Sequence, residues 1–119
     1  MNYAVNRLPV AQGECVIRRI DHAPSGIDTK PVERVKRGFI ISHSEQGHHH
    51  ILTGGDVMER TDRVPAGMQI FYAILSEPAE FIQDAANPHG GYDLTAGVFE
   101  IRISREFNPF LEQARRVAD

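Results

Sequence analysis

The stretch Gly38-Phe39-Ile40-Ile41-Ser42-His43-Ser44-Glu45-Gln46-Gly47-His48-His49-His50-Ile51-Leu52 reads as a β-hairpin with histidines on both arms. A β-branched apolar run meets a polar turn and returns through three consecutive imidazoles. With 44–47 as a four-residue loop, His43 falls opposite His48 and Ile41 opposite His50. Strand side chains alternate, so Phe39, Ile41, His43, His48, His50 and Leu52 share one face. Ile40, Ser42, His49 and Ile51 share the other. Three imidazoles thus converge on the more apolar face, an arrangement that a one-residue change of register would dissolve.

Strand signals continue on both sides of this hairpin. Upstream, 14–20 is a β-branched run, followed by a loop over 21–30 that contains Pro24, Gly26 and the solvated His22. A short strand over 32–36 leads into Gly38. Downstream, Gly54-Gly55 makes a turn, and 57–63 has the low apolar content of an edge strand. Val64-Pro65-Ala66-Gly67 is a second turn. MQIFYAIL at 68–75 is apolar on both faces, as a central strand is. Phe81 and Ile82 start another short strand, and Tyr92 to Leu94 leads to a turn at Thr95-Ala96-Gly97. Over 98–107, Phe99, Ile101 and Ile103 alternate with Glu100, Arg102 and Ser104, which points Glu100 toward solvent. The period then changes: Asn108 is a helix N-cap, Pro109 suits the first helical position, and Phe110, Ala114 and Val117 recur at helical spacing. The expectation is one all-β domain over residues 1–119, a small barrel or sandwich of about eight strands, with a short C-terminal helix.

Composition excludes several function classes. The 119 residues are 41% hydrophobic and 24% charged, which fits a single globular domain with its own core. A net charge of −3 gives no electrostatic footprint for nucleic acid or an anionic membrane. The longest apolar run, at 70–75, is far short of a membrane span. The single cysteine, Cys15, rules out an intramolecular disulfide framework, and no N-terminal segment has signal-peptide character. A cytoplasmic location, or one within a virion, is expected. Cys15 sits in an apolar strand and reads as a buried small hydrophobe.

The chemistry-bearing residues gather around the hairpin. Two histidines at i and i+2 on a strand lie about 6.5–7 Å apart along it, close enough to share an ion. His43, His48 and His50 are the candidate metal ligands, and His89, just before Gly90-Gly91, is the candidate fourth ligand or acid/base group. A divalent metal, zinc or iron, with one position open to water would make a catalytic site. Glu45 and Asp93 are the carboxylates placed to handle protons. The plainer alternative is a polar edge or pH-responsive interface, since every imidazole titrates near neutrality. Serine-hydrolase and P-loop motifs are absent, and Ser42 and Ser44 point away from His43 on a strand.

Two resemblances follow from these motifs. His48-x-His50 and the later Pro65-Ala66-Gly67 partly resemble the two motifs of the cupins, although Glu59 comes nine residues after His50 and no histidine closely follows the turn. More extensively, 13–119 resembles a set of small, uncharacterised proteins of phages, prophages and some bacteria. The matching residues are Gly13-Glu14-Cys15-Val16, His43-Ser44-Glu45-Gln46-Gly47-His48-His49-His50, His89, Thr95-Ala96-Gly97-Val98-Phe99 and Arg105-Glu106-Phe107-Asn108-Pro109. Threonine at 95 replaces the usual proline. The resemblance favours His48, His50 and His89 over His49 and implies no defined activity.

The function expected from the sequence is therefore a metal-binding β domain of phage or prophage type with a histidine-lined pocket. Metal-assisted hydrolysis or oxidation of a small molecule is the enzymatic form of that expectation. The alternative is a non-enzymatic interaction protein, a virion component or an inhibitor of a host system, whose histidines serve assembly with a protein partner. Edge strands in so small a β domain also favour a homo-oligomer.

Overall fold

The computed structural model describes residues 3–4, 10–12, 15–42, 49–84 and 91–104. Twelve strands run through them: β1 (Tyr3–Ala4), β2 (Val10–Gln12), β3 (Cys15–Ile20), β4 (Thr29–Pro31), β5 (Arg34–Val35), β6 (Gly38–Ser42), β7 (His49–Leu52), β8 (Asp56–Arg60), β9 (Met68–Leu75), β10 (Ala79–Asp84), β11 (Tyr92–Leu94) and β12 (Gly97–Ser104). The twelve strands exceed the eight or so expected because β1, β2, β4 and β11 are two- or three-residue pieces, while β5 lies within the short strand expected over 32–36. Pieces that short leave no periodic signal in a sequence. The helix expected from Asn108 lies outside the described residues.

The strands form two sheets, ordered β1-β11-β10-β7-β6-β5 and β2-β3-β12-β9-β8-β4. Neither closes on itself, so of the two architectures expected the chain adopts the sandwich. All pairings are antiparallel except β1 with β11. The chain passes from one sheet to the other several times, one of them through Val32 and Glu33, between β4 and β5. There the Val32 N–H donates to the Val57 carbonyl at 3.1 Å. Pro31 ends the edge strand β4, a position where its missing N–H costs no ladder bond.

The core forms where the two inner faces meet. The first sheet contributes Phe39, Ile41, Leu52, Phe81 and Leu94, and the second Ile17, Phe71, Phe99, Ile101 and Ile103, all buried. The alternation expected in β12 is present, with Phe99, Ile101 and Ile103 inward. β9 is central, as its two-sided apolarity requires, lying between β12 and β8. Its outward Ile70 and Tyr72 are as buried as its inward Phe71 and Ala73. β8, expected at an edge, is flanked by β9 and β4, and the tripeptide β4 takes the edge instead.

The hairpin of β6 and β7 has the expected register at its base and a different one toward its tip. Phe39 pairs with Leu52 and Ile40 with Ile51, but a bulge after Ile40 sets Ser42, not Ile41, opposite His50. A bulge inserts one unpaired residue and shifts the pairing beyond it. Ile41 accordingly stays in the core while the partner of His50 changes. At the base, Gly38 has φ +145, and a Cβ there would run into the Leu52 carbonyl and come within 2.8 Å of Thr53 Cα. Only glycine allows the strands this close.

Candidate functional site at one end of the sandwich

His50 is the candidate ligand whose surroundings the structure describes. It lies two residues before Leu52 on the inner face of β7, partly buried. Its ring stacks on Phe81 of the neighbouring strand, with centroids 5.6 Å apart and planes inclined by 6°. Because Phe81 is wholly buried, this contact fixes the imidazole plane. Nδ1 then faces the Cys15 Sγ across the sandwich at 3.9 Å. Cys15 is the first residue of β3 in the other sheet and has no exposed surface.

That contact lies at one end of the sandwich, and the pairing registers show which strand ends meet there. Ser42 is opposite His50 and Asp84 opposite His49, while Cys15 is opposite Ile103, and Ile103 opposite Gln69. The connection 43–48 between β6 and β7 and the connection that follows β10 therefore attach at this end. His43, Glu45 and His48 belong to the first connection and His89 to the second. All four lie outside the described residues, as does the side chain of His49.

Asp93 is described and is not brought to His50. It is the middle residue of β11, opposite Glu80, whereas its neighbour Tyr92 is opposite Phe81. Alternation places Tyr92 on the His50 face and Asp93 on the opposite one, where it is exposed. The same rule that aligned the histidines separates this carboxylate from them. His22 is an exposed loop residue, as expected. Among the described residues no cluster of three or more His, Cys, Asp or Glu side chains is arranged to hold a metal ion. Cys15 and His50 thus furnish two donors, and any third must come from outside the described residues.

A second polar constellation occupies the outer face of the other sheet, and it departs from the sequence expectation. Glu100, expected in solvent, is only 4% exposed. In register it lies between Arg18 of β3 and Tyr72 of β9. Arg18 donates to it from Nε at 2.9 Å and from Nη2 at 3.2 Å, and Arg102, two residues along β12, donates from Nε at 2.7 Å. Burial pushes the Glu100 carboxyl up, but the Arg18 and Arg102 hydrogen bonds outweigh it and hold the pKa below the ordinary carboxylate value. Beside it, Arg60 donates to the hydroxyl of the buried Tyr72 at 3.2 Å. The i, i+2 spacing of Glu100 and Arg102 is a legible signal, whereas Arg18 is found only through strand pairing. These partners satisfy one another, which marks the cluster as structural.

Among the described residues no helix is long and apolar enough to cross a membrane. Residues 11–104 match the model of a family described as a domain of unknown function (DUF8820). The matched span starts within β2 and stops at the last residue of β12, so it includes most of both sheets together with the connections that carry the histidines. No curated protein and no solved structure matches the chain.

Proposed function

The chain belongs to the DUF8820 family, and we propose that it is a small metal-binding β-sandwich whose site lies at the end where His50 stands. One observation carries this reading. The imidazole of His50 is held by stacking on Phe81 at the mouth between the sheets, beside the strand ends to which the segments bearing His43, His48 and His89 attach. A partly buried imidazole with its plane fixed by packing is pre-set for a ligand position, because little rotamer freedom remains to be lost when an ion binds. His48 and His50 are the primary ligands in this reading, with His43 or His89 completing the set.

The phage or prophage affiliation belongs to the same reading and is supported by the motif resemblance. So is the enzymatic form: a divalent ion with one open position polarises a small substrate or activates water. Glu45, on the connection next to His48, is the proton-handling group of that form. Asp93 is not, since it faces away.

Elemental analysis of untagged protein tests the reading, run in parallel on wild type and on the His48→Ala/His50→Ala double variant. About one metal per chain in wild type, lost from a folded variant, is the expected result. Wild type that carries no metal and takes up none on addition of zinc, iron or manganese would sink it. That outcome would favour the non-enzymatic interaction protein, with assembly state as the next measurement.

A further inference from the structure

We propose that the outer face of the second sheet is a docking surface for an acidic segment of another protein, anchored by a carboxylate that Arg18 and Arg102 bind together. The proposal is independent of the metal reading.

The anchor starts from strand pairing. On the adjacent strands β3 and β12, Arg18 is opposite Glu100 and Val16 is opposite Arg102, so the four side chains form a square with the arginines on one diagonal. Oε1 of Glu100 accepts from Nε of both, at 2.9 and 2.7 Å. One recessed carboxylate thereby holds two guanidinium groups side by side, leaving a local excess of positive charge in a chain whose total is −3. Toward the sheet the cluster is closed, because Glu100 is satisfied. Toward solvent it is open. Nη1 and Nη2 of Arg102 and Nη1 of Arg18 donate to no acceptor among the described residues, and both side chains are about half exposed.

The Nη edge of a guanidinium presents two parallel N–H donors, the geometry that a carboxylate accepts bidentately. Since Glu100 already fixes the arginines, little side-chain entropy is lost when that carboxylate arrives. A second anion also offsets the repulsion between the guanidiniums that Glu100 leaves unbalanced.

The surroundings select the occupant. The hollow lined by Val16, Arg18, Glu100 and Arg102 has a volume of about 210 Å³, below the roughly 300–1,000 Å³ of sites that enclose a small molecule. It suits one acidic side chain carried on a larger surface. Of the three large apolar side chains exposed among the described residues, Val16 and Ile74 both stand on this face, and Ile20 and Val98 are in register with Ile74. No lysine occupies an outward position of β3, β12, β9 or β8. Arginine among apolar side chains, without lysine, is the composition of a protein interface. The sheet is six strands wide. At about 4.8 Å per strand and about 3.4 Å per residue it offers about 500–650 Å², so that with a partner's matching area it reaches the roughly 1,000 Å² of a specific interface.

A second copy of the chain complements this face less well. Apposing two such faces brings four half-exposed arginines together, while the acid between them, Glu100, is recessed and already bonded. The outward acid on β8, Asp56, lies two strands from β12. The charge that matches the face is therefore a carboxylate of another protein.

Titration of the full chain with a capped synthetic peptide of alternating glutamate and valine, followed by proton–nitrogen NMR, tests the proposal. The Nε–H signals of Arg18 and Arg102 and the amides of β3 and β12 should shift, with an affinity that falls as salt rises. The same peptide with glutamine in place of glutamate should bind at least about 10-fold more weakly, the worth of one charge-assisted hydrogen bond. Arg102→Gln should weaken the acidic peptide by a similar factor. Val16→Asp, which sets a carboxylate beside the hollow and leaves the bonds to Glu100 in place, should do the same and decides the matter if Arg102→Gln fails to fold. No binding of the acidic peptide at millimolar concentration, equal binding of the glutamine peptide, or shifts confined to other surfaces would overturn the proposal. Inorganic phosphate that reproduces the shifts with the same affinity would make this a general anion site and overturn the protein partner. A wild-type dimer in sedimentation that Val16→Asp dissociates would put a second copy in that partner's place.

Discussion

Replacing Glu100 with glutamine would keep the shape of the buried carboxylate and remove its charge, which isolates the electrostatic part of the Arg18-Glu100-Arg102 cluster. Three hydrogen bonds, at 2.9, 3.2 and 2.7 Å, end on the Glu100 oxygens. Bonds to a charged group are worth about 1.5–3 kcal/mol each in net terms. The arginine side chains are 52% and 45% exposed, so water takes over much of what they lose and the upper end of that sum is out of reach. The side-chain carbonyl of the glutamine variant also retains one acceptor. The expected loss in Glu100→Gln is about 1–3 kcal/mol near pH 7, read by urea denaturation with an unchanged m-value. Its pH dependence supplies the sharper test. Because the folded pKa is depressed, the unfolded chain binds more protons than the folded one as pH falls through the ordinary carboxylate range of about 4.3. The contribution is therefore fully present above that range and disappears as pH drops through the folded pKa. Wild type and variant should keep a constant gap at neutral pH and converge in acid. A gap below about 0.5 kcal/mol at pH 7, or one that persists undiminished at about pH 3, would refute the account.

Two further outcomes follow from the geometry. Gly38→Ala should cost about 3 kcal/mol or more, since φ +145 is a glycine-only region and the added methyl group meets the Leu52 and Thr53 backbone; thermal unfolding that leaves the midpoint within a degree or two of wild type would contradict it. Tyr72→Phe removes the acceptor of Arg60 without opening a cavity, and should cost about 0.5–1.5 kcal/mol in urea denaturation. A cost near zero there would show that the Arg60 bond merely replaces one to water.

How much of this is legible in the sequence depends on the range of the interaction. Gly38 to Leu52 announces a hairpin, and β12 announces its inward face, because both signals repeat every second residue within a few positions. The bulge at Ile41 is not legible. It shifts the pairing of β6 with β7 between Ile40 and Ser42, and no residue type marks it. Glu100 reads as exposed from its own strand alone, since its burial comes with Arg18, a partner 82 residues away in the chain.

For the site, the sequence by itself determined that His50 shares a face with Phe39 and Leu52 and turns inward with the core, because side-chain alternation is a local property of any strand. Only the tertiary structure decided what His50 meets there. The stacking on Phe81 depends on which strand pairs with β7, and the approach of Cys15 depends on how the two sheets pack. Neither is encoded in spacing along the chain: strand partners and sheet packing are chosen by the collective burial of the whole core. Cys15 reads as an inert small hydrophobe from its apolar strand, and the packing of the two sheets sets its sulfur facing an imidazole.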